Sequence, residues 1–193
     1  MLSILLVAAS LLPSQAPLRV VLKQGDPIPG GGTIRHIQEW SCNRRGEVLA
    51  VVSSANNVDR IILDDQLLLR RTFEIEPGIH FLGGYEVALH RDGHWAATVQ
   101  TDQGIAMLVD GSIVERQGEL LSSALGTGLP AGATAVGYFR LLGWHGDVLL
   151  VHTSLMAPGW AREKQCRLGY RIDSSMGQLL LGSATLEGDV VTS

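Results

Sequence analysis

The sequence predicts an all-β chain made of about three copies of a four-strand unit, and three observations carry that prediction. A glycine that follows a short polar turn and precedes an apolar run recurs along the chain. Downstream of each such glycine, an Asp-led turn separates two further apolar runs. Nowhere do apolar residues hold a helical period of about 3.6 over a dozen positions. Missing a repeat mis-assigns a whole fold, so internal similarity is weighed before anything else.

In the first copy Asn43-Arg44-Arg45-Gly46 leads into the run ending at Val52. In the second, His90-Arg91-Asp92-Gly93 leads into the run ending at Val99. In the third, Gly143-Trp144-His145-Gly146 leads into the run ending at His152. Gly46 and Gly93 lie 47 residues apart, and Gly93 and Gly146 lie 53 apart. Each glycine reads as a hairpin turn that needs a positive φ, and Asn, Asp and His beside it tolerate turn conformations. Upstream of the turns, residues 33–40, 80–89 and 134–142 read as one more strand per copy.

The downstream turns are Asp64-Asp65, Asp110-Gly111 and the stretch 173–177. Asp-Gly between two apolar runs is among the strongest hairpin signals. Gly46 to Asp64 is 18 residues and Gly93 to Asp110 is 17, but Gly146 to Asp173 is 27, which implies an insertion around 157–164. The copies thus span roughly 33–71, 80–117 and 134–182. Four short antiparallel strands per fifty or so residues is the signature of a β-propeller blade, so a propeller-like array of about three blades is expected. A pseudo-symmetric β-sandwich is the alternative. A ring needs about four blades or more. Three therefore imply a partial array or one that self-associates through exposed blade edges, with residues 18–23 and 188–192 as extra edge strands.

Composition narrows the function classes. With 193 residues, 46% of them hydrophobic, the chain suits a single domain over 17–193. A net charge of −4 and no Lys/Arg run beyond a pair argue against nucleic acid as a partner. Residues 2–12 are uncharged and Leu/Ala-rich, and Ser14-x-Ala16 follows as a small-x-small cleavage pattern. Residues 1–16 therefore read as a signal peptide, too short to span a bilayer, which places the chain as secreted, periplasmic or on the cell surface; the alternative is a hydrophobic first strand or a misplaced start codon.

The chemistry-bearing residues form no catalytic set. Cys42 and Cys166 share no metal or redox spacing. They either close one long-range disulfide or, the favoured reading, sit as two buried small hydrophobes. His90-x-x-x-His94 straddles the Gly93 turn and lacks the Glu of a zinc helix motif, so no metal is expected there. Gly126-Thr127-Gly128 lacks the Lys and the strand-to-helix context of a phosphate loop, and no cofactor is expected. The turn residues Asn43, Gly46, Gly93, Asp110, Gly111 and Gly146 are structural by position. The candidate ligand contacts are the aromatics Trp144, Trp160 and Tyr170, read as exposed and gathered in the third copy and, for Trp160, in its insertion; the favoured alternative is that they are hydrophobic plugs over the blade ends.

Two stretches also resemble a known family. Asn43-x-x-Gly46-x-x-Leu49-Ala50 and the linker Gly25-Asp26-Pro27-Ile28-Pro29-Gly30 are similar to bacterial tandem-repeat proteins with an Asn-x-x-Gly-x-x-Ala-Phe motif and a Gly-Asp-x-Pro-x-Pro-Gly-like spacer. The stretch from Glu115 to Thr134 looks like a longer version of that spacer. Only the first copy keeps the Asn: by the glycine alignment the second has His90 and the third Gly143. The resemblance implies an exported or surface-displayed repeat protein with no catalytic residues to carry over. The functional expectation is a non-catalytic repeat protein for adhesion, scaffolding or recognition of a surface protein or glycan. The alternative is an extracellular hydrolase or lyase acting on a polymer.

Overall fold

The computed structural model describes residues 21–54, 56, 58–121, 129–173 and 178–186. The expected leader 1–16, the Gly126-Thr127-Gly128 loop, the turn at 174–177 and the last expected edge strand at 188–192 lie outside the described residues.

Among the described residues every regular element is a strand, as the absence of a helical period requires. The first sheet runs β1 (Ile34–Cys42), β2 (Val48–Ser54), β3 (Asp59–Leu63), β4 (Gln66–Arg70), in chain order. The second runs β5 (Glu74–Glu76), β6 (Ile79–Leu89), β7 (Trp95–Thr101), β8 (Gly104–Val109), β9 (Ser112–Arg116). In the third, β10 (Thr134–Ala135) and β11 (Arg140–His145) both pair with β12 (Val148–Met156), followed by β13 (Lys164–Asp173) and β14 (Gln178–Leu186). All pairings are antiparallel.

Three details differ from the sequence expectation. The short β5 was not expected. It curls the second sheet almost closed, because Glu76 beside β6 also accepts the Ile113 N–H at 3.3 Å and the Arg116 guanidinium at 2.7 Å from β9. The expected strand at 134–142 is broken. Val136 and Gly137 both donate to the Ser154 carbonyl, and a Cβ on Gly137 would come within 2.8 Å of the Ser154 nitrogen. The extra residues of the third copy lengthen β12 and β13 to 9 and 10 residues as well as the loop between them.

Period-two alternation would leave one face of each sheet wet. In the first two sheets the central strands are apolar on both faces, because each of those sheets is packed on both sides, whereas β12 of the third alternates and leaves Leu150 exposed. Leu49, Val51 and Ile61 of the first sheet meet Val87, Ala97, Val99 and Leu108 of the second. Ala88, Ala96 and Met107, on the second sheet's other face, meet Leu149, Val151, Leu168 and Tyr170 of the third. The first sheet's remaining face, Val48, Ala50, Val52 and Ile62, is packed with Leu22 and Ile28 of the leading linker. At about 25 cal/mol per Å² of apolar surface, this two-sided burial dominates the fold's stability.

The two linkers close alike. Gly25 donates to the Ile34 carbonyl and Gly118 to the Ala135 carbonyl, while Pro27 bridges Thr33 and Leu120 bridges Thr134. Both loops therefore deliver the chain into the next sheet through the same gate, although the second is longer.

Candidate functional site

At one end of the stack the three predicted glycine turns come together. Gly46, Gly93 and Gly146 take φ values of 80°, 95° and 59°, as the hairpin geometry demands. The third turn is shorter. Strand pairing ends at Cys42↔Val48 and Leu89↔Trp95 in the first two sheets but at His145↔Val148 in the third. The residue equivalent to Asn43 and His90 is therefore Gly146, not Gly143, which corrects the alignment made on glycines alone.

The side chain at that position does the same work in both copies that have one. Asn43 Oδ1 accepts the N–H groups of Arg45 and Glu47 at 3.0 and 3.2 Å. Its Nδ2 donates to Glu47 at 2.6 Å and to the His90 carbonyl at 3.1 Å. His90, only 3% exposed, accepts the Asp92 N–H on Nδ1 at 3.3 Å, which leaves its proton on Nε2. That Nε2 meets the Gly146 carbonyl at 3.0 Å. His90 is thus a ring-shaped substitute for Asn: one heteroatom shapes its own turn, and the other locks the next sheet. Arg45 reaches Asp92, and Arg91 reaches Asp147, one copy onward in each case. Exposed ion pairs of this kind add only about 0–1 kcal/mol each.

In the first two sheets the Asp-led turns lock the same end from within the sheet. Asp64 and Asp110 stand at φ 50° and 49°, and their carboxylates accept the N–H groups of Val48 at 2.8 Å and Trp95 at 2.9 Å. The bonds run to the neighbouring strand rather than within the turn. Asp110 also holds His94 Nδ1 at 2.7 Å. The His90 and His94 rings lie 5.9 Å apart, tilted by 42°, and face different partners, so their spacing builds no chelate. His80 pairs instead with Asp102, and both its backbone N–H and its ring hold that exposed carboxyl below its ordinary range. His36 and His145 are exposed on different strands. Among the described residues no group of three or more His, Cys, Asp or Glu is placed to hold a metal.

Beside these turns lies an open groove of about 1480 Å³. Its walls are the turns, the linker around Asp26 to Pro29, Ile62, Leu89 and Trp144. Trp144 is half-buried; its indole N–H donates to the Ala88 carbonyl at 3.3 Å, and its ring packs on His90 at 5.0 Å. Of the three aromatics expected to gather for a ligand, only Trp144 lines the groove. Trp160 lies on the third sheet's loop, under the Lys164 ammonium at 4.9 Å. Tyr170 is wholly buried, so its place among the exposed aromatics is corrected: its hydroxyl donates to Glu115 at 3.1 Å, and burial pushes it well above its ordinary range. Cys42 is exposed on the groove's lip and Cys166 is buried in the core of the third sheet, so they form no disulfide with each other. The expectation of two buried thiols holds for Cys166 alone.

Sequence reasoning passed over Glu39 and Glu86. They lie 47 residues apart, the first repeat period, and that spacing was the signal that could have found them. Neither a protein-family model nor a curated protein matches the chain.

Proposed function

We propose that the chain is a non-catalytic, exported recognition module, a β-propeller-like array whose repeats hold a groove open for a surface protein or glycan. The stacking of three sheets through equivalent turns supports the propeller-like reading, since each turn bonds to its counterpart one copy onward. The single observation behind the binding reading is the groove at the aligned turns, with the half-buried Trp144 and the linker residues Pro27 and Pro29 among its lining. The polar residues most able to do chemistry there, Asn43, His90, Asp64 and Asp110, are occupied in fixing the turns. Arg44 and Asp65 line the same groove and have no hydrogen-bond or ion-pair partner among the described residues. An open groove that offers an indole and prolines beside charged groups suits an extended ligand, and loops on a rigid scaffold are where such binding concentrates.

The test is a glycan and peptide array probed with the wild-type chain and with Arg44→Ala. Recognition of one ligand class that weakens in Arg44→Ala supports the reading. Release of reducing ends or peptide fragments from a polymer by the wild-type chain, lost in His90→Asn, refutes it in favour of a hydrolase or lyase.

A further inference from the structure

The strands that lead into the three glycine turns meet along a seam, with β6 lying between β1 and β11. Each carries a bulge. Gln38, Tyr85 and Leu142 are skipped where β1, β6 and β11 pair with the following strand. Bulges re-aim side chains out of the ladder. Tyr85 and Leu142 are accordingly 43% and 47% exposed. The Tyr85 ring meets Tyr138 edge to face, centroids 5.4 Å apart at 72°. Both hydroxyls are engaged, Tyr85 on Gln100 Oε1 at 3.0 Å and Tyr138 on the Glu86 carboxylate. What the pair leaves open is ring surface.

Glu86 is fixed beside the rings, accepting the Leu141 N–H at 2.5 Å. Partial burial raises its carboxyl above the ordinary range, and the neighbouring Glu39 carboxylate adds to the rise. The same burial and the same two carboxylates raise the Tyr138 hydroxyl. Arg140 is the cation facing Glu86, and it is exposed. The groups facing one another from β1, β6, the 138–139 segment and β11 are thus Glu39, Glu86, Tyr85, Tyr138 and Arg140, which leaves one uncompensated negative charge.

We propose that this seam binds an organic cation of the alkylammonium class against the rings of Tyr85 and Tyr138, with Glu86 as its counter-charge. Aromatic faces attract cations through the ring quadrupole, and a half-desolvated carboxylate strengthens that attraction. An anion meets two carboxylates. A neutral sugar would need free polar groups, and the tyrosine hydroxyls are engaged. The seam shares no residue with the groove lining at the turns, so the inference stands apart from the function proposed above.

The test titrates the full chain with choline and with its uncharged isostere 3,3-dimethylbutan-1-ol, following the ring NMR signals of Tyr85 and Tyr138. Choline is expected to give saturable shifts at both rings and the alcohol none. Glu86→Gln should weaken choline at least about tenfold, and Arg140→Ala should tighten it about threefold by removing the competing cation. Tyr85→Leu, at an exposed position, carries the same tenfold expectation if Glu86→Gln perturbs the fold. Spermidine and a trilysine peptide run in parallel separate a free amine from a polypeptide side chain as the source. Equal response to the alcohol, no saturation, or affinity unmoved by Glu86→Gln and Tyr85→Leu overturns the proposal.

Discussion

Replacing His90 separates the two functions of its ring. The side chain is 3% exposed, accepts the Asp92 N–H and donates to the Gly146 carbonyl, and packs on Trp144 at 5.0 Å. His90→Ala removes both hydrogen bonds, about 1 kcal/mol each. It also opens a void beside Trp144 that costs about 1–2 kcal/mol more. The expected loss is about 3–4 kcal/mol, a large share of a domain stability on the order of 10 kcal/mol. His90→Asn supplies Oδ1 and Nδ2 where the ring had Nδ1 and Nε2, as Asn43 does one copy earlier, and should lose only about 1 kcal/mol for the missing ring volume. His90→Leu keeps the volume without the hydrogen bonds and should lose about 2 kcal/mol or more. Urea unfolding measures this: the midpoints should fall in the order wild type, Asn, Leu, Ala with an unchanged m-value. If Leu is tolerated as well as Asn, the turn lock carries no energy and the account of the repeat fails.

Gly46→Ala and Gly84→Ala test two different glycine requirements. At Gly46 a Cβ meets nothing, so the cost is the positive φ alone, about 1–2 kcal/mol; at Gly84 the φ is ordinary but a Cβ lies 3.0 Å from Val51, so the cost is crowding of about 1–3 kcal/mol that Val51→Ala should partly relieve in a double mutant. Asp110→Gly keeps the positive-φ residue while removing the carboxylate held by the Trp95 N–H, and thermal melts should show a loss of about 1–3 kcal/mol. Tyr170 gives an alkaline signature. Its hydroxyl ionises more readily in the unfolded chain, so the stability it confers is present below its ordinary value of about 10 and declines as pH rises beyond it. Absorbance at the phenolate band should show a buried tyrosine that titrates with unfolding, and Tyr170→Phe should remove that component and leave the smaller one from Tyr138.

The fold was legible where turn chemistry is local. Asp110-Gly111 and Gly46 mark their hairpins by local backbone preference, and the strands between them follow from short apolar runs that suit burial. The break at Gly137 was not legible, because it comes from the close approach of Ser154 across the sheet, a tertiary cause with no local mark. The role of His90 was half legible. Its turn position could be read, but that its ring replaces an Asn amide depends on a Gly146 carbonyl 56 residues away. Tyr170 misled for the opposite reason: an aromatic near other aromatics reads as a surface cluster, whereas alternation along β13 turns it inward onto Glu115. The seam residues were invisible because their exposure rests on bulges, which shift register without changing composition.

The lock between turns has a direction. At each step the donor side chain belongs to the earlier copy and the acceptor carbonyl to the later one, from Asn43 to His90 and from His90 to Gly146. Gly146 has no side chain to pass the bond on. Each of the first two hairpins is shaped by a side chain of its own sheet, while the bond to the next sheet is carried by that same side chain, so a change at Asn43 or His90 disturbs a turn and an inter-sheet contact together.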